Sequence, residues 1–377
     1  MARWRARQGC YARPVLRLLP SPRGLLLLAL AAAGCGRSHD LGVVTTTSTA
    51  SSSSSAATTS TGTGGTGGAG GATASSSSSG TGGVDAGPPG ATKLTVVNGI
   101  NDYPSVRFCF LPGDTPWPDL ASGLPFADGQ AIPLGTGPIT GDTDVTPWVI
   151  AGDLDQIDGK TCTQILALAT PGGDGGLPPP VIAQALAVIP KLVFDSHKSL
   201  LLVADGCLGG GDHDDASAVS ACGTGYTSQN PTAGAFVVSM SRVVDPVHLS
   251  LQVVNGSTAL PESDVKILPN LTTGATDSLI VGSLSQGAIG PTMPFAKLGV
   301  PDLGPLAGVK LETYVPGSSS MQSTVALGDI LANGPFGASA LADGEDFVLV
   351  AVGSSPSLPA GGFWHAFTYA MVLSDPQ

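Results

Sequence analysis

Aromatic residues make up 5% of this 377-residue chain, charged residues 12%, and histidine occurs five times. So thin a supply of aromatics argues against a dedicated groove of sugar-stacking rings. Scarce basic charge excludes another class. The chain has 16 Lys and Arg against 28 Asp and Glu, a net charge of −12, and so acidic a protein repels phosphate backbones, which argues against nucleic-acid binding. Long apolar runs are also missing. The run from Gly24 to Ala33 falls short of the ~20 residues that span a bilayer, and no later segment reaches that length. Catalytic signatures are absent as well. There is no Gly-x-Ser-x-Gly elbow, no His-Glu-x-x-His, no phosphate-binding Gly-x-x-x-x-Gly-Lys-Ser/Thr and no dinucleotide-binding glycine fingerprint after a strand. A lone histidine on a strand, as at His248 and His365, reads as a packed or surface residue. The expectation is a protein without enzymatic activity and without a cofactor.

Six arginines and no acidic residue precede the apolar run, which ends in Ala32-Ala33-Gly34-Cys35. A basic start, a short apolar stretch and small residues at the cut describe an export signal. Small residues followed by Cys35 resemble the lipobox of bacterial lipoproteins, in which cleavage before the cysteine precedes its lipidation. Residues 1–34 therefore read as a lipoprotein signal peptide and Cys35 as the lipidation site. Removing them takes away six of the 16 basic residues, leaving 10 against 28, net −18. The membrane contact then rests on the lipid and not on a basic patch. An ordinary cleaved signal with a chance cysteine is the alternative.

From Leu41 to Thr92 the only charged residue is Asp85, and the rest is mostly Ser, Thr, Gly and Ala. Such a segment has too little apolar surface to offset its ordering entropy. Residues 35–91 are expected to be a disordered tether with an r.m.s. reach of roughly 40 Å.

Beyond the tether four cysteines remain: Cys109, Cys162, Cys207 and Cys222. An even number in an exported chain reads as two disulfides, with three possible pairings. Cys109–Cys162 and Cys207–Cys222 are favoured, the second closing a Gly/Asp-rich loop. A zinc site is the rival, and no C-x-x-C spacing supports it. Within that loop Asp212, Asp214 and Asp215 crowd carboxylates of the kind Ca²⁺ requires; the plainer reading is a solvated loop tip. Asp153 to Gly159 resembles a Ca²⁺ loop but fails the spacing, with Gln164 where a bidentate Glu belongs, and reads as a turn. Trp117, between Pro116 and Pro118, is a candidate stacking platform for a sugar, whereas Trp148 and Trp364 read as core.

Gly and Pro number 53 and 31, which suits short strands and frequent turns. Strands are predicted at 93–99, 105–111, 200–204, 236–244, 248–254, 309–315, 347–352 and 363–373, and one short helix at 180–189. An internal repeat divides the chain. Leu94-Thr95-Val96-Val97-Asn98-Gly99 returns as Leu251-Gln252-Val253-Val254-Asn255-Gly256, Leu124–Ala127 as Met293–Ala296, Ser199–Gly206 as Asp346–Gly353, and Ala233–Phe236 as Ala360–Phe363. The expected fold is all-β, two tandem immunoglobulin-like β-sandwich domains, residues 92–246 with both disulfides and residues 247–377.

The repeated elements, a Val-Val-Asn strand end, a Pro-x-Val strand, a Pro-Phe segment and a Val-Ala-x-Gly strand, resemble domain-of-unknown-function family 4397. That resemblance implies a secreted or surface-anchored bacterial protein with tandem sandwich domains, and it carries over no catalytic residue. Together with the lipobox it implies a lipid-anchored protein of a Gram-negative cell envelope, at the outer membrane or cell surface. Its role would be binding, adhesion or structure, and its partners an envelope or extracellular protein or glycan. An exported hydrolase or carbohydrate-binding protein is the alternative.

Overall fold

A computed structural model describes residues 93–377 except 136, 170–180, 195–198, 211–212, 214–216, 272–275, 336–340, 356–362 and 375–377. The signal segment, Cys35, the tether, Asp212, Asp214 and Asp215 lie outside the described residues. The described residues belong to one compact unit.

The fold is all-β, with four sheets of four strands. The first eight strands are β1 (Lys93–Asn98), β2 (Ser105–Leu111), β3 (Leu124–Pro125), β4 (Gly129–Pro133), β5 (Thr146–Ala151), β6 (Ile182–Ala185), β7 (Ser199–Asp205) and β8 (Gly234–Met240). They form an inner sheet ordered β4-β1-β7-β8 and an outer sheet ordered β3-β2-β5-β6. The next eight are β9 (Ser250–Asn255), β10 (Glu262–Leu268), β11 (Ser278–Ser285), β12 (Ile289–Phe295), β13 (Lys310–Tyr314), β14 (Met321–Ala326), β15 (Asp346–Val352) and β16 (Thr368–Leu373). Their sheets are ordered β12-β9-β15-β16 and β11-β10-β13-β14. Counted from the start of each half, the two orders are identical.

Register repeats with the order. β1 and β7 run parallel with Leu94 opposite Leu200 and Asn98 opposite Ala204; β9 and β15 run parallel with Leu251 opposite Phe347 and Asn255 opposite Ala351. A buried asparagine ends each first strand. Asn98 Nδ2 donates to the Leu124 carbonyl (2.9 Å) while Asn98 Oδ1 accepts from the Ile100 N–H (3.0 Å). Asn255 Nδ2 donates to the Leu284 carbonyl (3.2 Å) and its Oδ1 accepts from the Ser257 N–H (3.2 Å). The asparagines of the two Asn-Gly pairs are thus clamps between the two sheets of each sandwich.

These bonds correct one repeat match. The Asn98 carbonyl accepts from Ala127 N–H and the Asn255 carbonyl from Gly287 N–H, both at 2.8 Å. Leu124–Ala127 therefore corresponds to Leu284–Gly287, and Met293–Phe295 lies in β12, the counterpart of β4. Ala127, at φ 57°, holds the left-handed backbone that Gly287 holds at φ 75°. A second match shifts in the same way. Ala204 pairs with Ala235, and its counterpart Ala351 pairs with Tyr369, so Phe236 corresponds to Ala370, not to Phe363.

Layer position is written in the strand sequences. β7 (SLLLVAD) and β15 (DFVLVAV) are buried at every residue, because layers cover both faces. β10 (ESDVKIL) and β13 (KLETY), in an outer sheet, alternate between buried and more accessible positions. Each sandwich has its own core, one around Phe108, Phe110 and Leu202 and the other around Phe347, Leu311 and Tyr369. A third core joins the inner sheets back to back: Val97, Leu201 and Val203 of the first half meet Val254, Val348 and Val350 of the second. These are counterpart positions, so the seam is pseudo-two-fold. Gly99 and Gly256 allow the approach. A Cβ on Gly99 would lie 2.9 Å from Val352 Cγ1, and one on Gly256 would lie 2.9 Å from Val203 Cγ1.

Two local expectations are corrected. The helix predicted at 180–189 is absent, and 182–185 is β6, paired antiparallel with β5 from Trp148↔Ala185 to Ala151↔Ile182. Short apolar runs do not distinguish helix from strand, and an unpaired β5 edge decided the matter. Helix α1 (Cys162–Ala169) forms where none was predicted. The Thr161 N–H donates to Gln164 Oε1 (2.9 Å) and the Gln164 N–H to Thr161 Oγ1 (3.3 Å), a reciprocal capping box. Gln164 is thereby a helix cap and not a misplaced cation ligand.

Leu201 is fully buried in the shared core. Leu201→Ala should destabilise the protein by about 2–5 kcal/mol. Calorimetry should show a single transition moving as a whole. Two transitions, with one unmoved, would mean that the seam does not couple the halves.

Candidate functional site

The two disulfides join Cys109 to Cys162 and Cys207 to Cys222. The first pins α1 onto β2, in a small core with Ile150, Ile157 and Ile165. The second closes the loop that carries His213, at the end of the molecule where the C-terminal ends of β1, β7 and β15 meet.

His213 is 8% exposed. Its Nδ1 lies 3.1 Å from Asp102 Oδ2, and its ring packs against Tyr103 (centroids 4.9 Å) and Phe363 (4.3 Å). Asp102 also accepts from the backbone N–H groups of Leu208 (3.0 Å) and Gly209 (2.7 Å). Tyr103 donates its hydroxyl to the Gly209 carbonyl (2.8 Å) and Tyr226 to the His213 carbonyl (3.1 Å). Burial, with the neighbouring Asp102 charge, pushes the Tyr103 phenol well above its ordinary pKa. Asn101 Nδ2 donates to the Ala221 carbonyl (2.8 Å), so the segment after β1 grips both ends of the disulfide loop.

His365 stacks on Phe126 (4.1 Å, 8° between planes), and its Nε2–H donates to the Tyr103 carbonyl (3.0 Å). That bond fixes the tautomer. Burial holds the His365 pKa below the usual imidazole range, against the smaller opposing effects of the Tyr103 carbonyl and Asp102. The third described histidine, His248, meets Asp245 Oδ1 at 3.0 Å on the connector between the halves, where the expected 246/247 boundary falls.

The Asp102–His213 pair resembles half of a catalytic triad, yet no Ser, Thr or Cys side chain among the described residues is hydrogen-bonded to His213. Its carboxylate is already engaged by two backbone amides and the imidazole. The arrangement holds Leu208, Gly209 and His213 against Asp102 and gathers scattered aromatics. No motif announces it, because Asp102, His213 and Phe363 are brought together only by the fold. Trp117 is not the free platform its flanking prolines suggest. It is half-buried and packs on Phe108 (6.2 Å) and Phe110 (6.3 Å). Asp153–Gly159 holds a short 3-10 turn at Leu154–Ile157, in keeping with the turn reading. No group of three or more His, Cys, Asp or Glu with metal-holding geometry occurs among the described residues.

Two carboxylates face the seam. Asp205 ends β7 and accepts from Gln286 Nε2 of the other half (3.3 Å). Burial pushes its pKa up to about 6. Asp346 opens β15 at 4% exposure, and neither of its oxygens meets a hydrogen-bond donor. Burial raises its pKa to about 7. No protein-family model matches the chain, and no curated protein does.

The raised carboxylates set a pH dependence. The native state holds these protons more tightly than the unfolded chain, so their stabilising effect is complete below about pH 4 and is lost as pH rises through about 6 to 7. Asp346→Asn should raise the thermal midpoint at pH 8 and flatten part of its decline between pH 4 and 8. An unchanged profile would refute the assignment.

The Cys207–Cys222 link spans 15 residues. Replacing both cysteines by Ala should lower stability by roughly 3 kcal/mol in denaturant titrations. A loss below about 1 kcal/mol would show that the Asp102 clamp orders the loop without it.

Proposed function

We propose that this chain is a non-enzymatic, lipid-anchored protein of a Gram-negative cell envelope. On this reading Cys35 carries the lipid, the Ser/Thr/Gly segment lifts the folded part from the membrane at the outer membrane or cell surface, and the doubled sandwich binds an envelope or extracellular partner. The observation that carries the reading is the pair of disulfides in the folded part, downstream of an export signal that ends at Cys35. Disulfides persist in oxidising compartments outside the cytosol. Identical strand order in the two halves supports a duplicated domain, in keeping with the resemblance to domain-of-unknown-function family 4397. The buried Asp102–His213 pair, engaged in holding a loop, supports a binding or structural role over hydrolysis.

Cys35→Ala tests the anchor. Metabolic lipid labelling should vanish, and the protein should stay uncut or be released from the membrane fraction. Continued acylation and membrane retention of Cys35→Ala would sink the reading.

A further inference from the structure

The two halves are joined through Asp245-Pro246, the peptide link that an aspartate is best placed to break. An aspartate side chain can close a five-membered ring on its own carbonyl carbon. The proline nitrogen carries no hydrogen, and as a tertiary amide it leaves more readily once protonated than an ordinary amide nitrogen does. The fold presents this bond in a turn. Pro246 is exposed, and the His248 N–H donates back to the Asp245 carbonyl (3.4 Å), with proline at the second turn position. The Val247 N–H donates to Asp245 Oδ1 (3.0 Å), and His248 Nδ1 meets the same oxygen at 3.0 Å. Oδ1 is thus held, and Oδ2 is the oxygen that can turn onto the Asp245 carbonyl carbon. The Val247 N–H first, and His248 second, keep the Asp245 carboxyl below the usual carboxylate range. It therefore stays an ionised nucleophile in mild acid, where a leaving amine is protonated. Contacts on either side fix the segment: Asp245 N–H donates to Ser250 Oγ (3.0 Å), and Gly344 N–H, between Asp343 and Glu345, donates to the His248 carbonyl (3.1 Å).

The architecture tolerates a break at this point. Each of the four sheets lies wholly on one side of the bond: two are built from strands that end before Asp245, and two from strands that begin after Pro246. Cutting there separates no paired strands. The shared core, in which Val97, Leu201 and Val203 meet Val254, Val348 and Val350, would still hold the halves together.

We propose that the chain cleaves its own Asp245–Pro246 bond and persists as two fragments held by the seam. Asp245 Oδ2 attacks the Asp245 carbonyl carbon, and the charge that builds on the carbonyl oxygen is met by the His248 N–H. The C–N bond then breaks. Its electron pair goes to the Pro246 nitrogen, which takes a proton from solvent and becomes the terminal amine of the second fragment. The cyclic anhydride left on Asp245 takes up one water and opens to two carboxyl groups. The net change is hydrolysis of one peptide bond, with water as the co-reactant. His248 is a positioning residue in this scheme. The step occurs once per chain, goes beyond the binding role proposed above and does not depend on it.

The test incubates the purified exported protein with protease inhibitors at about pH 5 and follows it by mass spectrometry and gel filtration. One fragment should begin at Pro246 and another end at Asp245, while the native elution volume stays that of the uncut chain. The native chain should cleave at least about tenfold faster than the same chain unfolded in urea at that pH. Asp245→Ala should abolish cleavage, and Asp245→Glu, whose ring would be one atom larger, should slow it about tenfold. His248→Ala should slow it about tenfold and move the acid limb of the pH profile upward, because the Asp245 carboxyl then returns toward its ordinary pKa. Should Asp245→Ala disturb folding, Asp245→Glu and the urea comparison decide. Absence of the Pro246 fragment, cleavage that persists in Asp245→Ala, equal rates in the native and unfolded chains, or a rate and profile indifferent to His248→Ala would each overturn the proposal.

Discussion

The back-to-back contact of the two inner sheets is the constraint on which the rest of this structure depends. A sheet with one face on its own core and the other on a neighbour has no solvent-facing side. β1, β7, β9 and β15 must then be buried at nearly every residue, and they are. Polar groups that remain in this layer need partners or altered protonation. Asn98 and Asn255 satisfy themselves on carbonyls of the outer sheets. Asp205 takes Gln286 from across the seam, and Asp346, without a donor, holds its proton to about pH 7.

The seam joins like positions, which is the geometry of a two-fold dimer contact built within one chain. Covalent linkage has let the two edges diverge. One has Gly129 opposite Val97, close to Val372; the other has Ile289 opposite Val254 and an interrupted pairing of β12 with β9. A homodimer could not separate these features, because each substitution would appear on both edges. The same freedom explains why only the first half carries α1 and both disulfides.

The opposite end of the molecule shows what a stapled loop does in a chain with few aromatics. The Cys207–Cys222 link, the Asp102 clamp and the packing of His213 between Tyr103 and Phe363 draw residues from three distant segments into one cluster. Each bond is ordinary; together they order backbone that would otherwise carry unsatisfied amides. The histidine and the buried carboxylate are among the contacts that hold this cluster together.

Much of this was legible in the amino-acid sequence because it is local or additive. Alternating and β-branched segments specified strands, and Val-Val-Asn-Gly recurring once pointed to the duplication. An even set of cysteines after an export signal pointed to disulfides, and Thr161-x-x-Gln164 contains the cap of α1. Other features belonged to tertiary structure alone. Whether 182–185 became helix or strand depended on the open edge of β5. Which segment matched Leu124–Ala127 depended on what Asn255 bonds, not on the shared Pro-Phe letters. The shared core and the buried carboxylates arise from side chains far apart in the sequence, such as Val97 and Val254, meeting across a seam. Sequence periodicity records which face of a strand is covered, and it carries no record of what covers it.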